Sequence, residues 1–269
     1  MFKNISLGRY YDTGSALHKA DPRIKLILYV VYLVVIFMTE TWAGLICLAL
    51  ITVLQGIAAK IPVKIMASSV KPVLLLALFI FALNIFTQRQ GNPVFQKGII
   101  MITDSGIKTA LFMSLRLLFL VLSTSILLTL TTTPLKISDA LEKLFGPLAV
   151  LKFPVHEMAM MMSIALRFIP TLIDETDKIM KAQASRGADY DTGSIISRVK
   201  GYITVLIPLF VSSFKRAEEL ATAMDARCYR GGEGRTKLNP LKLTRADALI
   251  ALILTLGAAF ILAADFLAK

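Results

Sequence analysis

The apolar residues of the chain are gathered into long runs that are separated by short polar segments. A membrane-spanning helix needs about 20 mainly apolar residues, and five of the runs reach or approach that length. They cover residues 24–38, 42–59, 72–87, 107–130 and 248–264. The pattern therefore predicts an all-α integral membrane protein with about five transmembrane helices.

A charged region separates the fourth and fifth runs. It contains two apolar stretches, 158–170 and 202–214, which are too short to cross a bilayer comfortably. Both continue into charged sequence of helical character, so we expect long helices that lie against the membrane or pack together beneath it. The predicted parts are an N-terminal cytoplasmic segment with membrane helices 1–4, a cytoplasmic domain of long helices between spans 4 and 5, and a C-terminal membrane helix. Their boundaries are 1–133, 134–243 and 244–269.

Composition supports a membrane protein and excludes two other classes. Of the 269 residues, 56% are hydrophobic and 18% are charged, and the mean hydropathy is +0.69. Soluble globular domains carry about a quarter charged residues, and disordered chains are polar. The chain is therefore neither an ordinary soluble domain nor a disordered one.

The basic residues indicate how the chain is oriented. The formal net charge is +12, and among the short segments outside the apolar runs Lys and Arg are concentrated in the N-terminal tail and in the loop 60–71. The turn 39–41 has none, and the loop 88–106 has only two. Cytoplasmic loops carry the excess of Lys and Arg, so the N-terminus and the region between spans 4 and 5 are predicted to be cytoplasmic and the C-terminus outside. Topology thus explains the charge, and nucleic-acid binding is not needed.

Motifs for catalysis, metal binding and nucleotide binding are weak in the sequence. His156-Glu157 begins like a zinc-binding helix, but the second histidine is missing. Asp174 and Asp177 share one helix face without a second acidic cluster, which is typical of a solvated surface. No glycine-rich phosphate loop or nucleophile motif is found. We therefore predict no catalytic residue, no metal site and no ATP site in this chain.

One charged residue lies inside a predicted span. Arg116 is placed well within the fourth apolar run, where a charge is costly and requires a partner or a wet cavity. It could line a substrate path or serve as a structural residue. We predict the structural role, with Asn84 of the third run as a candidate partner.

The charged region contains a rough internal repeat. Each copy has a proline, several turns of charged helix and a terminal triplet in which arginine lies between small residues. The prolines, Pro170 and Pro208, are expected to kink or start the helices. The triplets are Ser185-Arg186-Gly187 and Ala226-Arg227-Cys228. Helix capping by each arginine is one explanation. Two equivalent ends also fit insertion into two similar partner grooves, where a guanidinium meets carboxylates or carbonyls.

These blocks resemble the transmembrane T component of energy-coupling factor transporters, including its cobalt-type relatives. The resemblance covers nearly the whole chain. It rests on residues 15–25, on residues 165–170 with Glu175 and 182–187, and on residues 223–229. The family usually has glycine at the end of the second triplet, where this chain has Cys228, which is also small.

The resemblance implies a non-catalytic energy-coupling subunit of an importer in the cell membrane of a prokaryote. Its partners would be two ABC ATPase subunits, which bind ATP and Mg, and a membrane-embedded S component that captures a vitamin or metal ion. Arg186 and Arg227 would couple the ATPases, together with their neighbours in each triplet. The S-component platform would lie at Met158, Met161, Met162 and Phe210. The methionine cluster fits either adaptable binding or ordinary apolar packing.

Two other classes remain open. A conventional ABC permease would form its own substrate pathway, but its subunits typically present one coupling segment each, whereas this chain has two arginine ends. A membrane-embedded transferase would need paired acidic clusters or a histidine-rich site, and neither is present in the sequence.

Overall fold

The computed structural model describes residues 10–88, 91–97, 100–151, 153–188, 190, 194–231, 241 and 243–268. Helices dominate these residues, and one short antiparallel hairpin is present among them. The helices are α1 (Ala16–Lys19), α2 (Pro22–Met38), α3 (Trp42–Ala58), α4 (Val63–Thr87), α5 (Asp104–Thr124), α6 (Pro134–Phe145), α7 (Val155–Ala184), α8 (Ile195–Ala226) and α9 (Arg245–Leu267). The strands are β1 (Pro93–Lys97) and β2 (Ile100–Thr103). A π-helical turn, Ser125–Thr129, extends α5, and a 3-10 segment, Gly146–Leu151, follows α6.

The chain divides into two compact units. Residues 8–140 and 241–269 form the first, which we call the apolar unit, and residues 141–240 form the second, the charged unit. In the apolar unit, α9 packs against α2 and α3, and α4 packs against α5. Its core is made of aliphatic and aromatic side chains from these helices, including Leu28, Tyr32, Leu48, Ile126, Leu127 and Ile261.

Polar side chains define where the helices of the apolar unit begin. Thr41 caps α3 by accepting from the Gly44 amide at 3.2 Å. Thr244 and Asp247 form a reciprocal capping box at the start of α9. Such caps satisfy amides that have no partner within the helix. The sequence therefore places the starts of α3 and α9 at the polar residues that flank their apolar runs.

The outward faces of the apolar unit are also apolar. Leu75 of α4 is 78% exposed, and similar side chains continue along α4 and α9. Among the described residues, three helices are long and apolar enough to cross a membrane, namely α4, α9 and α5 with its π-helical turn. Helices α2 and α3 have 17 residues each, which is the lower end of the spanning range. This all-α membrane architecture confirms the predicted fold class, while the count of five spans stays a prediction.

Two local expectations were wrong. The basic loop expected at 60–71 is mostly helix, because α4 starts at Val63 and continues through Pro72. A proline removes only one helical hydrogen bond, and a long apolar helix can accommodate that loss. The segment 88–106, which was expected to be a loop, contains the β1–β2 hairpin, in which Gln96 pairs with Met101. Its strands are short, and isolated short apolar segments do not distinguish strand from helix.

The charged unit is built on two long helices, α7 and α8, which pack against each other. Pro170 lies inside α7 and Pro208 inside α8, so neither proline starts a helix. Each helix therefore carries an apolar segment and a charged segment as one continuous rod.

Candidate functional site

The end of α7 is closed by backbone hydrogen bonds, and the Ser185 hydroxyl also donates to the Lys181 carbonyl at 3.0 Å. The Ala188 amide donates to the Gln183 carbonyl at 3.0 Å, and the Gly187 amide donates to the Ala184 carbonyl at 3.0 Å. Gly187 has φ +88°, the left-handed conformation that glycine adopts without penalty. This pattern is a Schellman motif, in which Arg186 is the last residue before the left-handed position.

The end of α8 repeats that construction. The Tyr229 amide donates to the Met224 carbonyl at 3.1 Å, and the Cys228 amide donates to the Asp225 carbonyl at 2.9 Å. Cys228 has φ +56° and therefore occupies the left-handed position that Gly187 fills at the end of α7. Arg227 precedes it, so the two arginines hold the same place in two identical backbone caps.

This geometry argues against the explanation that the arginine side chains cap their own helices. The terminal carbonyls of both helices already accept backbone amides. Arg186 and Arg227 are exposed, and neither guanidinium forms an ion pair with another described residue. Because the backbone does the capping, both side chains remain available for a partner.

A basic groove surrounds the second arginine. Arg167, Arg227 and Arg230 line a cavity of about 620 Å³ in the charged unit, whose floor is apolar and includes Met160 and Met224. Among the described residues, none with a carboxylate side chain belongs to its lining. Three guanidinium groups around an apolar floor suit a partner segment that carries acidic and apolar side chains. Sequence reasoning identified Arg227 but did not foresee that Arg167 and Arg230 join it.

A second polar contact joins α7 to α8. Glu175 accepts hydrogen bonds from the Ser212 hydroxyl and from the Arg216 guanidinium, which also forms an ion pair with it. All three side chains are partly buried. The contact fixes the two helices to each other between their apolar and charged segments. The sequence marked Glu175 as part of a motif, but its partners on α8 were not predicted.

The residues proposed as a platform are exposed and apolar. Met161 and Phe210 are each 60% exposed, and Met158 and Met162 are close to half exposed. Phe210 stacks on Phe214, with ring centroids 6.3 Å apart. These four side chains therefore lie outside the packed core of the described residues and form an exposed apolar patch.

Arg116 is held by the end of another helix. Its Nε donates to the Ile36 carbonyl at 2.8 Å, a second guanidinium nitrogen donates to the Phe37 carbonyl, and the group lies over the Phe37 ring. A cation is favourable at a helix C-terminus, where carbonyls lack partners. Asn84 was the partner suggested by the sequence, but it donates to the Ile80 carbonyl of its own helix.

Two buried charged groups were missed by the sequence reasoning. The Asp265 carboxylate, near the end of α9, accepts from the Glu40 amide at 3.0 Å and from the Thr41 amide and hydroxyl at 2.8 Å each. Lys25 is 1% exposed and donates to the Thr131 carbonyl at 3.0 Å and to the Thr132 hydroxyl at 3.2 Å. These groups connect helix ends that are distant in sequence. The sequence feature that indicates them is their position near the ends of apolar runs.

The apolar unit has the long apolar helices of a membrane protein. The charged unit carries the two matched arginine ends. Residues 13–238 match the family described as cobalt transport protein, CbiQ. The chain is also 51% identical over 250 residues to an energy-coupling factor transporter transmembrane protein, EcfT, of Ruminiclostridium cellulolyticum, covering 93% of each chain. Proteins with the same description from Clostridium kluyveri and Bacillus subtilis are 46% and 44% identical, and each match covers at least 93% of both chains.

The chain therefore belongs to the CbiQ family of transport proteins, and its curated relatives are energy-coupling transmembrane components of ECF transporters. The family resemblance predicted from the arginine motifs is confirmed. Membership establishes a role in membrane transport as an energy-coupling component.

Proposed function

We propose that this chain couples two ABC ATPase subunits to a membrane-embedded S component that imports a vitamin or a metal ion. Arg186 and Arg227 each dock into a groove on one ATPase. ATP and Mg²⁺ are bound by those ATPases, and this chain contributes no catalytic group. Closure of the ATPases moves α7 and α8, and these helices carry the motion to the S component.

The observation that carries this proposal is the identical construction of the two helix ends. Each end places an exposed arginine directly before a left-handed residue, in a Schellman motif formed by backbone amides and carbonyls. A partner with two equivalent subunits would meet the same surface twice. A permease subunit with one coupling segment would not need the second end.

The exposed apolar segments of α7 and α8 support the S-component platform. Met158, Met161, Met162 and Phe210 lie on these segments, and each is roughly half exposed or more. An apolar surface on the cytoplasmic region would be costly in water, so a membrane partner is its natural cover. Methionine adapts to different partner shapes, which suits a module that accepts more than one S component.

The proposed orientation follows from charge. The N-terminus and the domain 134–243 are cytoplasmic, the C-terminus is outside, and the membrane is the prokaryotic cell membrane. Labelling of single cysteines from each side tests this arrangement. Labelling of introduced cysteines at 91–93 only from the cytoplasmic side would overturn both the topology and the coupling role.

The docking test uses the assembled transporter in proteoliposomes. Arg186→Glu should weaken docking on one side and lower ATP-driven uptake, and Arg186→Glu with Arg227→Glu should abolish it. Truncating one partner of a buried charge pair costs about 2–5 kcal/mol, and reversing its charge costs at least as much. Substrate binding by the S component should persist, because that step needs no ATP.

A matched control reverses two exposed cations of the same unit that lie away from the helix ends. Lys178→Glu with Lys215→Glu makes the same change in net charge and should leave uptake near the wild-type rate. Wild-type uptake by the Arg186→Glu/Arg227→Glu variant would refute the docking role. Equal loss in the control would assign the effect to net charge alone.

A further inference from the structure

An apolar groove runs along the surface of the apolar unit between α3 and α9. Its volume is about 640 Å³, and Gln55 is the one polar side chain in its lining. The helix α1 closes one end, where the Thr13 hydroxyl donates to the Ala59 carbonyl at 2.7 Å. We call it the α3–α9 groove. Its lining residues are Ala16, Leu17, Ile51, Leu54, Gln55, Ala58, Ile250, Ile253, Leu254, Leu256, Gly257 and Phe260.

The length of the groove matches one leaflet of a bilayer. Its lining on α9 runs from Ile250 to Phe260, and ten residues of helix rise about 15 Å. The hydrocarbon core of a bilayer is about 30 Å thick, so one leaflet contributes about 15 Å. On α9 the lining covers the middle of the helix, and on α3 it covers the second half, so the groove extends from the α1 end of the unit toward its centre. It therefore has the reach of a single acyl chain.

Three exposed cations lie within a few residues of the lining at the α1 end of the groove. Lys19 follows the lining residue Leu17 on α1, Lys60 comes two residues after Ala58, and Arg245 begins α9. None of these three side chains forms an ion pair with another described residue. Basic residues beside a groove between membrane helices on the cytoplasmic side attract anionic lipid headgroups.

Gln55 lies at the depth where the groove meets this basic end. It is 3% exposed, and neither amide atom makes a hydrogen bond of normal geometry with a described residue. The neighbouring Tyr32 hydroxyl donates to the Leu254 carbonyl at 3.1 Å. Buried polar groups of this kind normally have a partner. Gln55 therefore gives the groove one polar position within a lining that is otherwise apolar among the described residues.

We propose that the α3–α9 groove is a binding site for an anionic phospholipid of the leaflet that faces the basic end. One acyl chain lies along the groove, and the phosphate contacts Lys19 and Lys60. By the proposed orientation this is the cytoplasmic leaflet. The site is separate from the arginine ends, and its test does not depend on energy coupling.

The test measures lipids that remain bound to the purified full-length chain. The protein is delipidated in mild detergent, incubated with phosphatidylglycerol or phosphatidylcholine, and analysed by native mass spectrometry. Ile253→Trp fills the groove and should abolish retention of both lipids. Leu252→Trp is the matched control, since Leu252 is 59% exposed against 56% for Ile253 but is outside the lining. Leu256→Trp is a second groove-filling variant, and the melting temperature of each variant verifies folding.

The headgroup preference is tested separately. Lys19→Gln with Lys60→Gln should reduce the preference for phosphatidylglycerol by up to about fivefold for each charge removed. Lys64→Gln with Lys71→Gln removes two exposed lysines outside the lining and should preserve the preference. Equal lipid loss in Ile253→Trp and Leu252→Trp would mean ordinary annular lipid and overturn the site. A photoreactive residue at 253 that crosslinks to protein in the assembled transporter would show that a partner helix covers the groove instead.

Discussion

The two helix caps predict opposite responses to a change at the same structural position. Gly187 and Cys228 both have left-handed backbone conformations, with φ of +88° and +56°. An L-amino acid pays about 1–2 kcal/mol in that region, while glycine pays none. Gly187→Ala should therefore destabilise the end of α7, and Cys228→Gly should stabilise the end of α8.

The magnitude follows from the structure. A Cβ on Gly187 would meet no atom within 4 Å, so the cost of Gly187→Ala is conformational and not steric. Glycine also has more conformational freedom than other residues in the unfolded chain, and this entropy difference opposes the native-state effect by about 0.4–1 kcal/mol. The net effect is about 1 kcal/mol in each variant with opposite sign, or about a fivefold change in the local opening constant.

Hydrogen exchange measured by mass spectrometry provides the assay. Protection of the Ala188 amide should fall about fivefold in Gly187→Ala, and protection of the Tyr229 amide should rise about fivefold in Cys228→Gly. Gly14→Ala changes another glycine of positive φ, in the apolar unit, and should leave both caps unchanged. Changes of the same sign at both caps would contradict the equivalence of the two ends.

Variants at Arg116, Asp265 and Glu175 test three further polar contacts between helices. Arg116→Met removes two hydrogen bonds to the end of α2 and should cost about 2–4 kcal/mol, read as a lower melting temperature with unchanged substrate choice. Asp265→Asn weakens three hydrogen bonds at the α2–α3 turn and should cost about 2 kcal/mol by the same measurement. Glu175→Gln should lower uptake per ATP hydrolysed, and Glu175→Arg with Arg216→Glu should restore part of it. Unchanged uptake per ATP in Glu175→Gln would refute a role for this contact in coupling.

Much of the helical framework could be predicted from the sequence, because long apolar runs and polar caps are local signals. The run 248–264 became α9, and its start is fixed by Thr244 and Asp247, three residues apart. The arginine ends were also predictable, since their triplets stand directly in the sequence. What the sequence could not show is that both ends are the same backbone motif, because Cys228 is a rare residue at a left-handed position.

The contacts between distant residues could not be predicted. Arg116 required a polar partner, but the partner is a pair of backbone carbonyls, and every residue type provides a carbonyl. Lys25 likewise bonds to a carbonyl and a hydroxyl more than a hundred residues away. The groove around Arg227 depends on how α7 and α8 pack, which periodicity alone does not specify.

The Asp265 contact has a consequence for the order in which the protein is made. Asp265 accepts the amide of Thr41, which precedes it by 224 residues. At synthesis rates of about 5–20 residues per second, the α2–α3 turn waits about 10–45 s for that carboxylate. Until α9 has been made, the amides of Glu40 and Thr41 lack the carboxylate that accepts them in the folded chain. A chain truncated before α9 would lack this acceptor, so the order of the α2–α3 turn should report whether α9 has been made and has packed.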